Sequence, residues 1–117
     1  MHTGDNMPLV QENVLMTDAI LAMTAKAFGC VGVTNDRNQL LGIVTDGDLR
    51  RHMANDLLRR KARDVMTVSP KIIHPNALVA EALWIMNKSA ITSLFVTEND
   101  EPQGIIHVHD CLRSEVA

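Results

Sequence analysis

Aromatic residues are almost missing from this chain: Phe28, Trp84 and Phe95 are the whole set, and there is no tyrosine. Any core must be aliphatic, filled out by seven methionines. A nucleic-acid surface of basic residues interleaved with stacking rings is excluded. Positive charge is not in excess either. A formal net charge of −3 gives no bulk attraction to nucleic acid or to an anionic membrane. No apolar run approaches the roughly 18 residues a membrane-spanning helix needs. Met1-His2-Thr3-Gly4-Asp5 lacks the basic-then-apolar pattern of a signal peptide. Cys30 and Cys111 show no metal-ligand spacing and read as buried thiols of a cytoplasmic protein. Catalytic patterns are missing as well. There is no Ser-His-Asp arrangement with a nucleophile elbow, no glycine-rich phosphate loop, and no carboxylate pair except two repeat-related aspartates. The chain reads as non-enzymatic, with no resident cofactor and no metal.

What is present is 117 residues, 46% of them hydrophobic, enough for one compact module of two small parts. Met1 to Pro8 is a polar lead-in, and Leu9-Val10 is extended. Thr17 is placed to cap a helix from about Asp18 to Ala27, with Ile20, Met23 and Ala27 at helical spacing. Gly29 ends it. Cys30–Thr34 and Gln39–Val44 form a hairpin around the turn Asn35-Asp36-Arg37-Asn38. A second helix runs from Thr45-Asp46-Gly47-Asp48 to about Ala54, and a third from Leu57 to Arg63. Val65 to Pro70 is a linker.

Then the order repeats. Lys71-Ile72-Ile73 is extended, and a helix runs from about Leu78 to Lys88 with Ala82, Leu83 and Met86 inward. Ser93–Thr97 and Gln103–Ile106 are strands around the turn Glu98 to Pro102, and a last helix covers His109 to Ser114. Ala19, Met23 and Val33 fall on Ala82, Met86 and Val96 at an offset of 63; Gly42 and Asp48 fall on Gly104 and Asp110 at 62. The one-residue slip belongs in the hairpin turn, where length changes cheaply. A repeat of this size implies that each unit buries its open face on the other. The boundary is drawn between 1–60 and 61–117. Met1 corresponds to Met66, so the first copy begins at the edge of its unit, as in a piece of a longer chain.

The chemistry concentrates where a strand meets a helix, at Gly42-Ile43-Val44-Thr45-Asp46-Gly47-Asp48 and again at Gly104-Ile105-Ile106-His107-Val108-His109-Asp110. One reading is a binding corner. The Thr45 hydroxyl and the amides of Asp46 and Gly47 face a phosphate at the helix's positive end. Ionised Asp48, an acceptor only, takes a ribose diol. The other reading is a capping box, with Asp48 as a short stand-in for glutamate. In the second copy His107 replaces threonine and His109 replaces glycine, while Asp110 stays. Two apart, the histidines would share one face of a strand. Two ligands do not make a metal site, so they read as hydrogen-bonding groups of a ligand cleft. Arg50 to Arg63 holds six of the eleven basic residues. It reads as a solvated face, with Arg50, Arg51 or His52 near enough to the first corner to meet an anion.

The extended-helix-strand-strand-helix order, made twice with Gly-h-h-Thr-x-x-Asp at the second strand's end, resembles a tandem pair of CBS domains, a Bateman module. Asp64-Val65-Met66-Thr67 resembles that family's linker signature. Gly29-Cys30-Val31-Gly32-Val33-Thr34, Leu41 to Arg51 and Ile106-His107-Val108-His109-Asp110 resemble the C-terminal CBS pair of bacterial D-arabinose-5-phosphate isomerases. The resemblance implies an α+β fold: two β-α-β-β-α units forming an intertwined pair with pseudo-two-fold symmetry. It implies a regulatory module, carried behind an N-terminal sugar-isomerase domain that does the chemistry. The ligand would be an anionic nucleotide in the cleft between the halves. CMP-Kdo is the natural candidate, as the activated end product of the route to Kdo, a sugar acid of lipopolysaccharide; AMP and ATP are the alternatives. Asp48 and Asp110 would hold ribose hydroxyls, and Thr45, His107 and His109 a phosphate or the sugar acid. Met66 and Thr67 would wall the cleft. A homodimer is implied, without nucleic acid or membrane. Two other readings stand beside this one: a dimerisation module with no ligand, and a stand-alone adenine-nucleotide sensor.

Overall fold

The computed structural model describes residues 2–26, 28–54 and 56–116, with side chains as far as Leu112. It is α+β. The chain divides into two compact units, Pro8–Pro70 and Met1–Met7 with Lys71–Ala117.

The first unit is built on a four-stranded sheet in the order β1-β2-β3-β4. β1 (Leu9–Gln11) runs parallel to β2 (Cys30–Thr34), which forms the hairpin with β3 (Leu40–Thr45). All five residues of β2 are buried, the pattern of a central strand covered on both faces. α1 (Met16–Lys26) lays Met16, Ala19 and Met23 on the sheet, an i, i+3, i+7 stripe. Val31, Val33, Val44, Leu57, Ala62 and Val65 complete that core.

α1 starts at Met16, so Thr17 does not cap it as expected. The Thr17 hydroxyl donates instead to the Leu58 carbonyl at 3.2 Å. Ile20 packs at the margin of the core, and Ala27 lies outside the described residues. The expected helix from Leu57 to Arg63 is also corrected. It is a 3-10 turn, Leu57–Arg59, then the short α3 (Ala62–Val65). The break at Arg60-Lys61 has a backbone cause. Met16 N–H donates to the Arg60 carbonyl, and Ala62 and Arg63 N–H donate to the Val14 and Glu12 carbonyls. Hydrogen-bonding groups that a helix would use internally are spent on the segment leading into α1.

The linker is part of the sheet. Its residues Thr67–Val68 form β4, antiparallel to β3, with Gly42 opposite Val68 and Ile43 opposite Thr67. This pairing joins Thr67 and Val68 to the sheet of the first compact unit, Pro8–Pro70. The N-terminus joins the second unit. His2 makes an antiparallel bridge to Ile105, with both backbone N–H to carbonyl distances at 2.9 Å.

The second unit repeats the plan with the strand order β5-β6-β7. β5 (Ile72–Ile73) is parallel to β6 (Ser93–Glu98), and β6 is antiparallel to β7 (Glu101–His107). α4 (Val79–Ser89) buries Ala82 and Met86 against Ile73, Leu94, Val96 and Cys111, with Leu83 at the margin. α5 (Val108–Val116) follows β7 directly. Both hairpins carry a register shift at the same repeat position, Val33/Thr34 and Val96/Thr97. Thr34 pairs with Leu40 and Thr97 with Pro102, so the second turn is one residue shorter, where the slip was expected. No helix among the described residues is long and apolar enough to cross a membrane.

Candidate functional site: two corners with different contents

The first corner lies where β3 ends and α2 (Asp46–Arg51) begins. Thr45 is the N-cap. The Asp48 amide donates to Thr45 Oγ1 at 3.4 Å, and the Thr45 amide donates to Asp48 Oδ2 at 2.9 Å. The two bonds close a capping box. The Thr45 hydroxyl also donates to Asp48 Oδ2 at 3.2 Å. The other oxygen is engaged too: Thr67 Oγ1 donates to Asp48 Oδ1 at 2.6 Å, and the Arg51 guanidinium donates to the same atom. The Asp48 side chain is 2% exposed. Burial pushes its carboxyl up. Hydrogen bonds from the Thr67 hydroxyl, the Thr45 amide, Arg51 and the Thr45 hydroxyl outweigh that, and hold it below the ordinary carboxylate value.

Thr45, Asp48 and Thr67 are therefore brought together, while Met66 packs on the core with its side chain against Gly42. Thr67 does more than wall the corner, since its hydroxyl fills one side of the carboxylate. Arg51 fills the other, and the His52 Nδ1–H donates to the Asp48 carbonyl at 2.9 Å. Asp46 is exposed in the first turn, and Gly47 carries the Arg51 side chain above it, 3.4 Å from where a Cβ would sit. Gly42 is the residue sequence reasoning undervalued. A Cβ there would stand 2.6 Å from the Thr67 carbonyl and 2.8 Å from Met66 Sδ. Glycine is needed so that β4 can bring Thr67 against Asp48.

The second corner lies where β7 meets α5. The His107 amide donates to Asp110 Oδ2 at 3.0 Å, matching Thr45 and Asp48. The His109 amide donates to His107 Nδ1 at 3.1 Å, so that nitrogen carries no proton. The two imidazoles stack, with centroids 4.8 Å apart. They meet because the chain turns into the helix between them, not because they share a strand face: His107 ends β7 and His109 lies within α5. His2 joins them, its Nε2 at 3.2 Å from Asp110 Oδ2. The correspondence of Met1 with Met66 puts His2 on Thr67, so this partner was readable from the repeat. Across the β6–β7 pair from His107, the Ser93 hydroxyl is buried with no hydrogen-bond partner among the described residues, a donor held ready at some cost.

Asp110 also borders an open-mouthed cavity of about 280 Å³, lined by Ile73, His74, Pro75, Ala77, Val96, Ile106 and Cys111 among others. That volume is near the lower end of small-molecule sites, about 300–1,000 Å³. Apolar walls with one carboxylate at the edge suit a planar base with a hydroxyl-bearing sugar. A larger groove of about 710 Å³ runs along α4 beside Trp84. None of its lining among the described residues is charged, so it is the poorer candidate for an anionic ligand despite its size. Among the described residues no three His, Cys, Asp or Glu side chains converge to hold a metal ion.

The CBS-domain family profile matches residues 2–55 and again 62–117. The chain belongs to the CBS-domain family. It is 41% identical to the arabinose 5-phosphate isomerase KdsD of Yersinia pestis, over 99% of this chain and 36% of that protein. With KdsD of Escherichia coli K12 the identity is 40% over the same shares. An uncharacterized protein of Rickettsia prowazekii, RP505, is 38% identical over all of this chain and 37% of its own. The likeness to KdsD is to its C-terminal CBS region, and this chain spans about a third of the length of these relatives. Among solved structures, the CBS-domain protein ATU1752 of Agrobacterium tumefaciens has a TM-score of 0.80 at 25% identity, covering 93% of this chain and 84% of its own. CBSX2, an Arabidopsis thaliana CBS-pair protein solved in complex with AMP, has a TM-score of 0.83 at 20% identity, covering 99% and 92%. At that identity it speaks for the fold alone.

Proposed function

We propose that this CBS pair is the regulatory module of a sugar-phosphate isomerase and binds an anionic nucleotide in the cavity bordered by Asp110. The observation that carries this reading is the contrast between the two aspartates. Asp48 is sealed by Thr67, Arg51 and Thr45. Asp110 is 17% exposed at its side chain and borders a cavity of nucleoside size. The ribose diol would lie on Asp110 and the base among Ile73, Ala77 and Val96. The acid group would reach His107, His109 and the Ser93 hydroxyl. The first corner is in this reading chiefly a structural joint between β3, α2 and β4.

CMP-Kdo is the first candidate. The relatives of about 40% identity are isomerases named for arabinose 5-phosphate, and an activated end product is the usual feedback signal for an early step. AMP is the second, on the strength of the AMP-bound CBSX2 structure. The parent chain would carry an isomerase domain ahead of this module and act in the cytoplasm. Regulation requires that the ligand bind two arrangements of the parent with different affinity. The module would pair with a second copy. Leu21 and Trp84, one repeat apart, are both exposed, at 63% and 60%, on α1 and α4.

The test is a thermal-shift titration with CMP-Kdo, CMP, AMP and ATP, run on the wild type, Asp110→Asn and Asp48→Asn. A ligand at 100 times its dissociation constant adds about 2.7 kcal/mol. The expected result is a shift with CMP-Kdo that AMP and ATP do not match, retained in Asp48→Asn and lost in Asp110→Asn. A shift with AMP or ATP alone makes the module an adenylate sensor. No shift with any of the four leaves a structural pairing module.

A further inference from the structure

The start of α5 is capped by an imidazole. The His109 amide, second of the helix, donates to His107 Nδ1 at 3.1 Å. The Val108 amide before it is taken by the Thr92 carbonyl at 2.8 Å. In the first corner the capping acceptor is the Thr45 hydroxyl, which does not titrate near neutrality, whereas histidine does. We infer that the second corner is a proton-linked anion seat: His107 caps α5 while its Nδ1 is bare, and an entering anion brings a proton onto Nδ1 and takes over the His109 amide.

The inference rests on the nucleotide reading above and adds how pH sets the affinity of that site. Its basis is a count of donors and acceptors. A bare Nδ1 accepts one hydrogen bond; a protonated Nδ1 is a donor and accepts none. Protonation therefore frees the His109 N–H and sets a second N–H beside it. Without an anion this state is poor. It leaves a backbone donor without its cap and places a cation at the positive end of a helix, next to a second imidazole whose centroid is 4.8 Å away. A phosphate or carboxylate supplies the missing acceptor and the opposite charge together. A third donor shares the face. Ser93 is paired directly with His107 in the β6–β7 ladder, and residues paired in this way project to one side of a sheet. Ser93 is 7% exposed, and its hydroxyl has no hydrogen-bond partner among the described residues. The other titratable groups at the corner are His109 and Asp110 on α5, and His2 on the N-terminal segment, whose Nε2 lies 3.2 Å from Asp110 Oδ2. Asp110 accepts the His107 amide, and its negative charge supports an imidazolium there. The proton in turn offsets the repulsion between Asp110 and an anion.

NMR reads the cap directly. At neutral pH the His109 amide nitrogen and His107 Nδ1 should show scalar coupling across their hydrogen bond, and saturating CMP-Kdo should abolish it and protonate Nδ1. Calorimetry with CMP-Kdo, whose phosphodiester and carboxylate stay ionised in this range, should give an affinity that rises about threefold to tenfold from about pH 7.5 to about pH 6. His107→Thr, which installs the hydroxyl of the first corner, should flatten that slope, and His2→Gln should keep it. AMP is run beside CMP-Kdo; there the comparison of wild type with His107→Thr cancels the titration of its own phosphate. A wild-type affinity that does not change with pH, or a slope kept in His107→Thr and lost in His2→Gln, overturns the proton link while the nucleotide reading stands. Binding of neither nucleotide to any of the three proteins at either pH overturns both.

Discussion

The Thr67 hydroxyl donates to Asp48 Oδ1 across 2.6 Å, joining the strand β4 to the first turn of α2. Two elements that are 19 residues apart in sequence meet at one sealed carboxylate. This makes the corner's stability dependent on that group's charge. Because the Asp48 carboxyl is held below its ordinary value, the folded state binds its proton less readily than the unfolded chain. The stabilisation is present above the ordinary carboxylate range and is lost as pH falls through the lowered value. Thr67→Val should cost about 1–2 kcal/mol near neutrality. Melting curves from pH 7 into acid should show the gap to the wild type narrowing as pH falls through the lowered carboxyl value. A gap that does not change with pH would mean that Thr67 acts by packing alone.

Gly42→Ala should be far more damaging than an alanine in a strand usually is. The added methyl meets a backbone oxygen at 2.6 Å and Met66 Sδ at 2.8 Å. A side chain can swing away, but the Thr67 carbonyl moves only if β4 leaves β3. The expected cost is about 1–3 kcal/mol. Adding Met66→Ala should fail to restore the melting temperature, because the backbone clash remains. Full rescue by Met66→Ala would place the whole effect on the side chain.

Leu21 and Trp84 occupy the same repeat position and are both left exposed. Trp84 stands beside the groove along α4, with the Lys88 ammonium 4.6 Å from its ring centroid. If these faces pair two copies, Leu21→Asp combined with Trp84→Asp should convert a dimer to a monomer in analytical ultracentrifugation. The change to an exposed residue should leave monomer stability within about 0.5 kcal/mol. A wild type that sediments as a monomer at all concentrations removes the pairing proposal.

Burial pushes the Cys30 thiol up to about 12, and the nearby negative charge of Asp46 adds to the rise. A neutral thiol is a poor nucleophile. Alkylation of the native protein by iodoacetamide at pH 8 should therefore leave Cys30 unmodified under conditions that label it in urea. The sign for stability is opposite to that of Asp48. A thiol with a raised value keeps its proton when folded, so stability should fall as pH rises from the ordinary thiol value of 9.0 toward 12.

Much of this was legible in the sequence because it was written twice. The offsets of 63 and 62 fixed the equivalence of Val33 with Val96 and of Asp48 with Asp110, and the hairpins follow them to the shared register shift. The Thr45–Asp48 spacing announced a helix start, and the N-cap is where it was expected. Less legible were the ends of elements whose backbone bonds are claimed from a distance. The stretch from Leu57 to Arg63 has helical composition, yet residues 12–16 take its hydrogen bonds. Thr17 has a capping side chain, yet the Leu58 carbonyl takes it.

The sequence by itself determined the repeated fold, the family, and which residue types stand at the two corners, because local spacing and side-chain chemistry specify those. Only the tertiary structure decided that the corners differ. How closely a carboxylate is enclosed depends on what the chain brings to it from elsewhere, and spacing within one segment carries no information about that. The chain brings Thr67, beside Arg51, to the first corner and seals Asp48. It brings His2 and a cavity to the second and leaves Asp110 at the cavity's edge.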